Sequence, residues 1–390
     1  MQPNAQKQIE DIRHMRSISC ALKSTGIKNS RVACHILLLV ACIVNILMSM
    51  SSKWHDLESR ILCLRDLQSL LLILIYFIIM GQDGRVLEKF CDIMDEQFSG
   101  RIEIQQFDEI NRNFRVANSL NVKKYCRNFL IFLLVRNSAM AFVPMIYSIL
   151  LVISAVMKDD YEKLNHLPVI INFHYPERHA CWQLQLALNL FATYFYVINI
   201  FLSYIFTMSG IFIFHNISYH FELLSSYIQE FDKLELLEDI RLKFMMKQLT
   251  AYHQTILRIH SSFDEHCRFL IFGFSFAVTF QACTYIYSIV EMRESKYVIQ
   301  LSFALVLLYA FSIYGQKIVD AGELVNQSIY ECNWTEKPLW YKKHLLIMLI
   351  RSSQSIEFHC FELVSVKNTF FMKVLQTTYT YFNFLKDTNK

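Results

Sequence analysis

Residues 182–215, WQLQLALNLFATYFYVINIFLSYIFTMSGIFIFH, contain no charged side chain. An α-helix needs about 20 mostly apolar residues to cross the hydrocarbon core of a bilayer, which is about 30 Å thick. The full apolar run, 181–215, would extend about 52 Å as a helix at about 1.5 Å per residue. This length predicts a span that either tilts steeply or projects from the membrane as a continuing helix. We favour projection, because the following residues also have helical character.

Six further apolar stretches extend the same pattern along the chain. The predicted spans are 32–50, 61–81, 128–156, 181–215, 269–291, 298–316 and 366–385. Within lipid, a spanning segment must satisfy its own backbone hydrogen bonds, as a helix does. The composition agrees, since 54% of the residues are hydrophobic and only five are proline. The predicted fold class is therefore all-α, a single seven-helix membrane domain over 1–390. The segments 216–268 and 317–365 are predicted to be cytosolic and helical.

The composition and motifs exclude several function classes. A net charge of +4, with dispersed Lys and Arg, does not favour a nucleic-acid partner. Eleven cysteines occur without a C-x-x-C pair, which argues against a zinc site or a disulfide framework. The sequence has no H-E-x-x-H, G-x-S-x-G, P-loop or G-x-G-x-x-G motif. We therefore expect no enzyme activity, no cofactor and no metal. The N-terminus also lacks the apolar region of a cleavable signal peptide.

Lys and Arg counts predict the orientation of the spans. The N-terminal tail and alternate connecting segments hold 26 of these residues, whereas the opposite set holds 9. Because cytoplasmic segments carry the excess of positive charge, the N-terminus is predicted to be cytosolic. Seven spans then place the C-terminus outside. The glycosylation sequons at Asn216, Asn326 and Asn333 would all be cytosolic and should carry no glycan.

A heptad repeat marks the segment between the fourth and fifth spans. Its apolar positions step by four and three residues: Met245, Leu249, Tyr252, Ile256, Ile259 and Phe263. Such a seam indicates a helix packed along one face. Two interpretations are open, one in which it packs against other helices or subunits, and one in which it covers its own domain. Both predict a helical segment.

Charges within the predicted spans are costly and therefore informative. Arg65 and Asp66 lie near the outer end of the second span, where they can pair or reach the headgroups. Anchoring at the membrane interface is the favoured interpretation for both. Lys373 lies in the last span, which is rich in Thr, Tyr and Asn. This polar character indicates that the last helix contacts water.

Aromatic residues are abundant in the predicted outer halves of the spans. The most notable are Tyr147, Trp182, Phe191, Tyr194, Phe280, Tyr285 and Phe303. A cavity lined by such side chains would suit a small apolar ligand. Aromatic residues also fill helix-bundle cores and interfacial belts, so packing is the alternative for each of them.

The C-terminal third resembles one known family. AGELVNQSIYECNWTEKPLWYKKHLLIMLIRSSQSIEF (321–358) is similar to the segment that precedes the last helix of insect odorant receptors. NTFFMKVLQTTYTYFNFLK (368–386) resembles the family's final helix, with Thr378 and Thr380 where serines are typical. LPVIINFHYP (167–176), with its spaced prolines, resembles the family's second outer loop.

The resemblance implies a ligand-gated, non-selective cation channel of four subunits. A tuned receptor of this kind binds a small volatile and assembles with a co-receptor subunit in the plasma membrane of olfactory sensory neurons. Its last helix lines a common pore, for which the candidate residues are Thr377, Thr378, Tyr381, Phe382 and Leu385. The implied ligand-pocket candidates are Tyr147, Phe191, Tyr194, Tyr285 and Phe303. Lys373 is expected either at the inner vestibule or against a neighbouring helix.

Three alternatives accompany this interpretation. Insect gustatory receptors are the sister family, but they usually end in a Gln-Phe that this chain lacks. A G-protein-coupled receptor would need its N-terminus outside, which the charge bias opposes. A transporter would commonly show internal repeats and broken helices, whereas this chain has eight glycines and no evident repeat.

Overall fold

The structure is a computed structural model that describes most of the C-terminal half of the chain and parts of the N-terminal half. The described residues are 30–52, 56, 59–71, 73–74, 127–128, 130–135, 142–158, 167, 170–171, 182–233, 239–294, 297–360 and 364–388. Parts of the predicted second and third spans, including 75–81 and 136–141, lie outside these residues, as do Pro168 and Pro176.

Helices dominate the described residues. Those with defined bounds are α1 (Ser30–Ser52), α2 (Val143–Lys158), α3 (Trp182–Asp232), α4 (Asp239–Val290), α5 (Tyr297–Glu331), α6 (Leu339–Ser352) and α7 (Asn368–Thr388). Residues 59–71 and 130–135 are also helical. α6 carries Arg351 in its last turn and ends at Ser352.

Three of these helices are longer than a bilayer is thick. α3 has 51 residues, α4 has 52 and α5 has 35, so they extend about 76, 78 and 52 Å. α3 passes His215 without a break and continues to Asp232, as projection from the membrane requires. Among the described helices, Ile271–Val290 and Tyr297–Glu331 meet the combined length and hydropathy criteria for a membrane span.

α3 and α5 lie side by side in parallel. Phe214 packs edge-on against Phe311 with ring centroids 6.0 Å apart. Eleven residues further along α3, Ser225 Oγ lies 2.6 Å from Ser328 Oγ. Contacts thus advance in the same direction along both helices, and these helices form one continuous core with α4.

The heptad seam of α4 faces this core. Its six residues are each at most 5% exposed: Met245, Leu249, Tyr252, Ile256, Ile259 and Phe263. The Tyr252 hydroxyl lies 2.8 Å from Nδ1 of His220 on α3, within hydrogen-bonding distance. The seam therefore packs within its own chain, which is the second of the two interpretations that the heptad allowed.

A short hairpin connects α6 to α7. Strands β1 (His359–Cys360) and β2 (Val364–Ser365) pair antiparallel. The His359 N–H donates to Asp264 Oδ1 of α4 at 2.7 Å, and the buried Phe358 stacks on Phe214 of α3 at 4.6 Å. The sequence predicted a helical segment through 317–365 and no strand, because two-residue strands are too short to show an alternating pattern.

Gly315 allows the beginning of α7 to approach α5 closely. A Cβ atom at this position would lie 2.9 Å from the carbonyl carbon of Val366 and closer still to its oxygen. Distances under 3.0 Å are essentially never shown by real Cβ atoms. The contact between α5 and the residues that lead into α7 therefore requires glycine at 315.

Candidate functional site

A narrow cleft lies where the helical residues 59–74 meet α3. Its lining mixes acidic, amide, hydroxyl, aromatic and aliphatic side chains: Asp66, Ser69, Leu70, Ile73, Ile171, Phe195, Tyr196 and Asn199. Its cavity volume is about 10 Å³, which is close to the space that one water molecule needs. Because ligand pockets usually measure about 300–1,000 Å³, a small organic ligand requires these side chains to move apart.

A buried ion pair borders the cleft. Arg65 Nε donates to Asp66 Oδ1 at 2.8 Å, and the two side chains are 7% and 2% exposed. The Arg65 guanidinium lies over the Tyr297 ring, 4.6 Å from its centroid. Both charges thus face the interior of the helix bundle. Arg65 and Asp66 form the pair that the sequence allowed, and their position relative to the membrane interface stays a prediction.

Two buried hydrogen-bond donors near this ion pair are unused. Nη1 of Arg65 and Nε2 of Gln68 have no acceptor among the described residues. The Gln68 side chain is oriented by Thr284, whose hydroxyl donates to Gln68 Oε1 at 3.1 Å. An unsatisfied buried donor costs about 1–3 kcal/mol, so a ligand oxygen that accepts from either group would be favoured. Sequence reasoning missed Gln68, although an amide within an apolar span was a readable signal.

Two of the predicted pocket residues, Tyr285 and Phe303, are buried. Tyr285 stacks on Tyr297 with ring centroids 6.1 Å apart, and Tyr297 in turn contacts Arg65. Phe303 stacks on Phe132 at 5.6 Å. Only the Tyr297 ring therefore separates Tyr285 from the ion pair. Phe303 instead packs against Phe132.

The other three predicted pocket residues lie further from the cleft lining. Phe191 and Tyr194 pack edge-on against Phe195, at centroid distances of 4.9 and 5.8 Å. Because Phe195 lines the cleft, these two residues form a layer behind it. Tyr147 is 55% exposed on α2 and is not part of the lining. The five residues thus do not converge on one cavity.

α7 presents a packed face and a polar face. The packed face carries residues at intervals of four: Phe370, Val374, Thr378 and Phe382. The opposite surface is exposed and mostly polar: Met372, Lys373, Gln376, Thr377, Tyr379, Thr380, Tyr381 and Phe384. Two predicted pore residues, Thr377 and Tyr381, lie on the exposed face. Two others, Thr378 and Phe382, lie on the packed face. The fifth, Leu385, belongs to α7, but its side chain is outside the described part of the structure.

The C-terminal part of α3, the N-terminal part of α4 and the C-terminal part of α5, together with α6, form what we call the anchor region. Its surface exposes large apolar side chains that are more than half accessible: Ile240, Phe244, Leu339, Leu346 and Ile350. Exposed apolar patches commonly mark protein interaction sites. This surface is therefore a candidate subunit interface.

Known proteins share both the sequence pattern and the fold of this chain. The 7tm Odorant receptor family matches residues 96–379. Odorant receptor 85c of Drosophila melanogaster is 24% identical over 153 residues, which cover 37% of this chain and 38% of that protein. The chain aligns with less than half the length of each curated relative that it matches.

The fold is similar to that of a solved receptor. The insect olfactory receptor OR5 from Machilis hrabei has a TM-score of 0.79 and 10% identity, with 97% of this chain and 98% of that chain covered. Its complex with eugenol has a TM-score of 0.76 and 11% identity, with coverage of 96% and 98%.

The helical architecture thus defines an all-α membrane receptor of the insect olfactory type. The family match covers well over half of the chain, and the chain belongs to the 7tm odorant receptor family. This membership favours the odorant over the gustatory interpretation, and it assigns the chain to a family of receptors rather than of enzymes.

Proposed function

We propose that this chain is the ligand-binding subunit of an odorant-gated, non-selective cation channel. It assembles with a co-receptor subunit into a hetero-oligomer of four subunits in the plasma membrane of olfactory sensory neurons. α7 from each subunit contributes to a common pore. Binding of a small volatile in the outer half of the helix bundle opens that pore.

The polar face of α7 is the observation that carries this proposal. α7 packs Val374 and Thr378 against its own subunit and leaves Lys373, Thr377 and Tyr381 exposed. Charged and hydroxyl groups are costly in hydrocarbon. In a membrane receptor, such a face is favoured where it contacts water or polar groups of neighbouring subunits. A shared aqueous pore satisfies this requirement.

The cleft beside Arg65 and Asp66 is the proposed ligand site. Its aromatic and aliphatic lining suits an apolar volatile, and Ser69, Tyr196 and Asn199 bring hydrogen-bonding groups to the same lining. Eugenol, which is bound in the OR5 complex, belongs to this chemical class. A ligand can shift gating only by its difference in affinity for the closed and open forms. Opening of this narrow cleft during activation would provide such a difference.

The anchor region is proposed to be cytosolic, with the N-terminus on the same side. The Lys and Arg bias supports this orientation. Asn216 is 7% exposed and Asn326 accepts a hydrogen bond from Ser352 at 3.0 Å, whereas Asn333 is exposed. Asn333 is thus the informative sequon. A glycan on Asn333 in cells would place the anchor region outside and overturn the orientation.

Adjacent threonines on α7 provide a matched test of the pore. Thr377→Cys and Thr378→Cys are expressed with the insect co-receptor, and odorant-evoked current is recorded before and after a charged, thiol-reactive reagent. We expect irreversible block at position 377 and little effect at position 378, because only Thr377 lies on the exposed face.

Two results would refute the channel proposal. One is equal modification at positions 377 and 378, which would mean that the two faces of α7 are equally accessible from water. The other is a response that needs G-protein signalling and shows no intrinsic conductance. Current that requires both subunits and odorant would support the proposal.

A further inference from the structure

A second cavity lies in the anchor region, between α4 and α6 and beside residues 354–356. Its volume is about 510 Å³, within the range of about 300–1,000 Å³ that is usual for small-molecule sites. This cavity is separate from the outer cleft. The proposed channel mechanism does not use this cavity.

The lining of this cavity carries positive charge without negative charge. Arg258 of α4 and Arg351 of α6 both line it, and none of the described lining residues is Asp or Glu. Neither arginine forms an ion pair with another residue in the described part of the chain. Gln254, Gln354 and Ser355 add neutral hydrogen-bonding groups to the lining.

Two carboxylates that are close in sequence to lining residues are engaged with other groups. Asp264 accepts from Arg268 at 3.0 Å and from the His359 N–H at 2.7 Å. Glu357 accepts from Lys367 at 3.1 Å. Although burial raises the pKa of Glu357, hydrogen bonds from Ser355, Ser365 and Lys367 lower it to about 2. These carboxylates therefore do not neutralise the two arginines.

A buried imidazole also lines the cavity without a partner. His253 is 1% exposed, and its Nε2 atom has no hydrogen-bond partner among the described residues. Burial, with a smaller contribution from Arg351, lowers the pKa of His253 to about 4. The ring is therefore neutral at physiological pH, and its buried nitrogen could pair with a ligand only if the surrounding side chains move.

These groups favour a phosphate-bearing ligand. A phosphate carries up to two charges and offers several acceptor oxygens in different directions, which matches donors that converge from two helices. Guanidinium groups bind phosphate through paired, charge-assisted hydrogen bonds. We propose that this cavity binds a soluble, phosphorylated small molecule, held by Arg258 and Arg351 beside His253.

The position of the cavity favours a soluble ligand over a lipid headgroup. Ser261, the lining residue of α4 that is nearest the membrane, precedes the candidate span Ile271–Val290 by ten residues. At about 1.5 Å per residue, this separation is about 15 Å along the helix. The headgroup layer extends only about 5–8 Å beyond the hydrocarbon core. Access from the cytosol rests on the proposed orientation.

A binding assay on the full receptor tests this proposal without using odorant currents. The chain and its co-receptor are purified together in lipid nanodiscs, and binding of inositol trisphosphate is measured by calorimetry. Arg258→Gln and Arg351→Gln should each weaken binding about tenfold, which corresponds to about 1.4 kcal/mol. Arg241→Gln is the matched control, because Arg241 is an exposed arginine of α4 outside the lining, and it should leave the affinity unchanged.

Several outcomes would overturn the proposal. One is no binding up to about 1 mM ligand, which corresponds to about 4.1 kcal/mol. Another is an equal loss of affinity in the Arg241 variant, which would indicate non-specific attraction. A third is binding only to nanodiscs that contain phosphatidylinositol bisphosphate and not to its soluble headgroup. If the melting temperatures of Arg258→Gln and Arg351→Gln are unchanged, unfolding is excluded as the cause of any loss of affinity.

Discussion

Gly315→Ala should destabilise the receptor even though alanine is the better helix former. In a helix interior, alanine is more favourable than glycine by about 1 kcal/mol. At position 315, however, the new Cβ would lie 2.9 Å from the carbonyl carbon of Val366, whereas ordinary contact begins at 3.4 Å. α5 and the residues leading into α7 must therefore separate by at least 0.5 Å.

The net change in the free energy of unfolding is the difference between the cost of overpacking and the gain in helix propensity. Overpacking costs about 1–3 kcal/mol, and the upper part of this range applies because the clash is with backbone, which has no alternative rotamer. After subtraction of the helix-propensity gain, we expect Gly315→Ala to lower the free energy of unfolding by about 2 kcal/mol. Gly273→Ala is the matched control, because a Cβ at position 273 meets no atom of the described residues within 4 Å. It should be neutral or stabilising.

Melting curves of the co-assembled receptor in detergent, followed by size-exclusion chromatography, measure this difference. We expect a lower midpoint for Gly315→Ala than for the wild type, and an unchanged or higher midpoint for Gly273→Ala. Gly315→Ala should also shift the odorant concentration–response curve, because Val366 leads directly into α7. Equal midpoints for the two variants would refute the steric explanation.

Three further predictions concern other parts of the chain. Asp66→Asn should lower the free energy of unfolding by about 3–5 kcal/mol by leaving Arg65 buried without its counter-charge, and the apolar double variant Arg65→Met/Asp66→Leu should recover much of this loss in melting assays. Lys373→Glu should raise cation selectivity in reversal-potential measurements, since a unit charge at about 6 Å in water contributes about 0.7 kcal/mol; an unchanged reversal potential would remove Lys373 from the pore. Burial lowers the pKa of His220 to about 3, so its stabilisation is complete above pH 6.5 and declines as the pH falls towards the folded-state value. The decrease in unfolding free energy from pH 7.5 to 5 should be about 2 kcal/mol smaller in His220→Gln than in the wild type, and identical pH slopes would contradict the prediction.

Features with a regular period could be predicted from the sequence. The α4 seam repeats every three or four residues, and each of its members is buried. The uncharged run from Trp182 predicted a helix that continues past His215, and α3 extends without a break to Asp232. In both cases the decisive interactions are local along one helix, so a single segment contains the information.

Features that depend on contacts between distant segments could not be predicted. The choice between Thr377 and Thr378 depends on which face of α7 packs against its neighbours, and adjacent hydroxyl residues do not reveal it. Arg258 and Arg351 meet at one cavity although 93 positions separate them in the chain. The polar groups of the outer cleft likewise come from helices far apart in sequence, so aromatic abundance alone did not locate that cleft.

The unbroken length of α3 also has a mechanical consequence. About 50 Å of helix separates Asn199 at the cleft from Asp232 in the anchor region. A rigid lever of this length converts a tilt of about 2° at the cleft into a displacement of about 2 Å at its far end, which is comparable with the helix shifts of about 1–2 Å seen at subunit interfaces in allosteric transitions. Under the proposed function, side-chain movements at the cleft that are too small to change the local fold would be amplified at the proposed subunit interface in the anchor region.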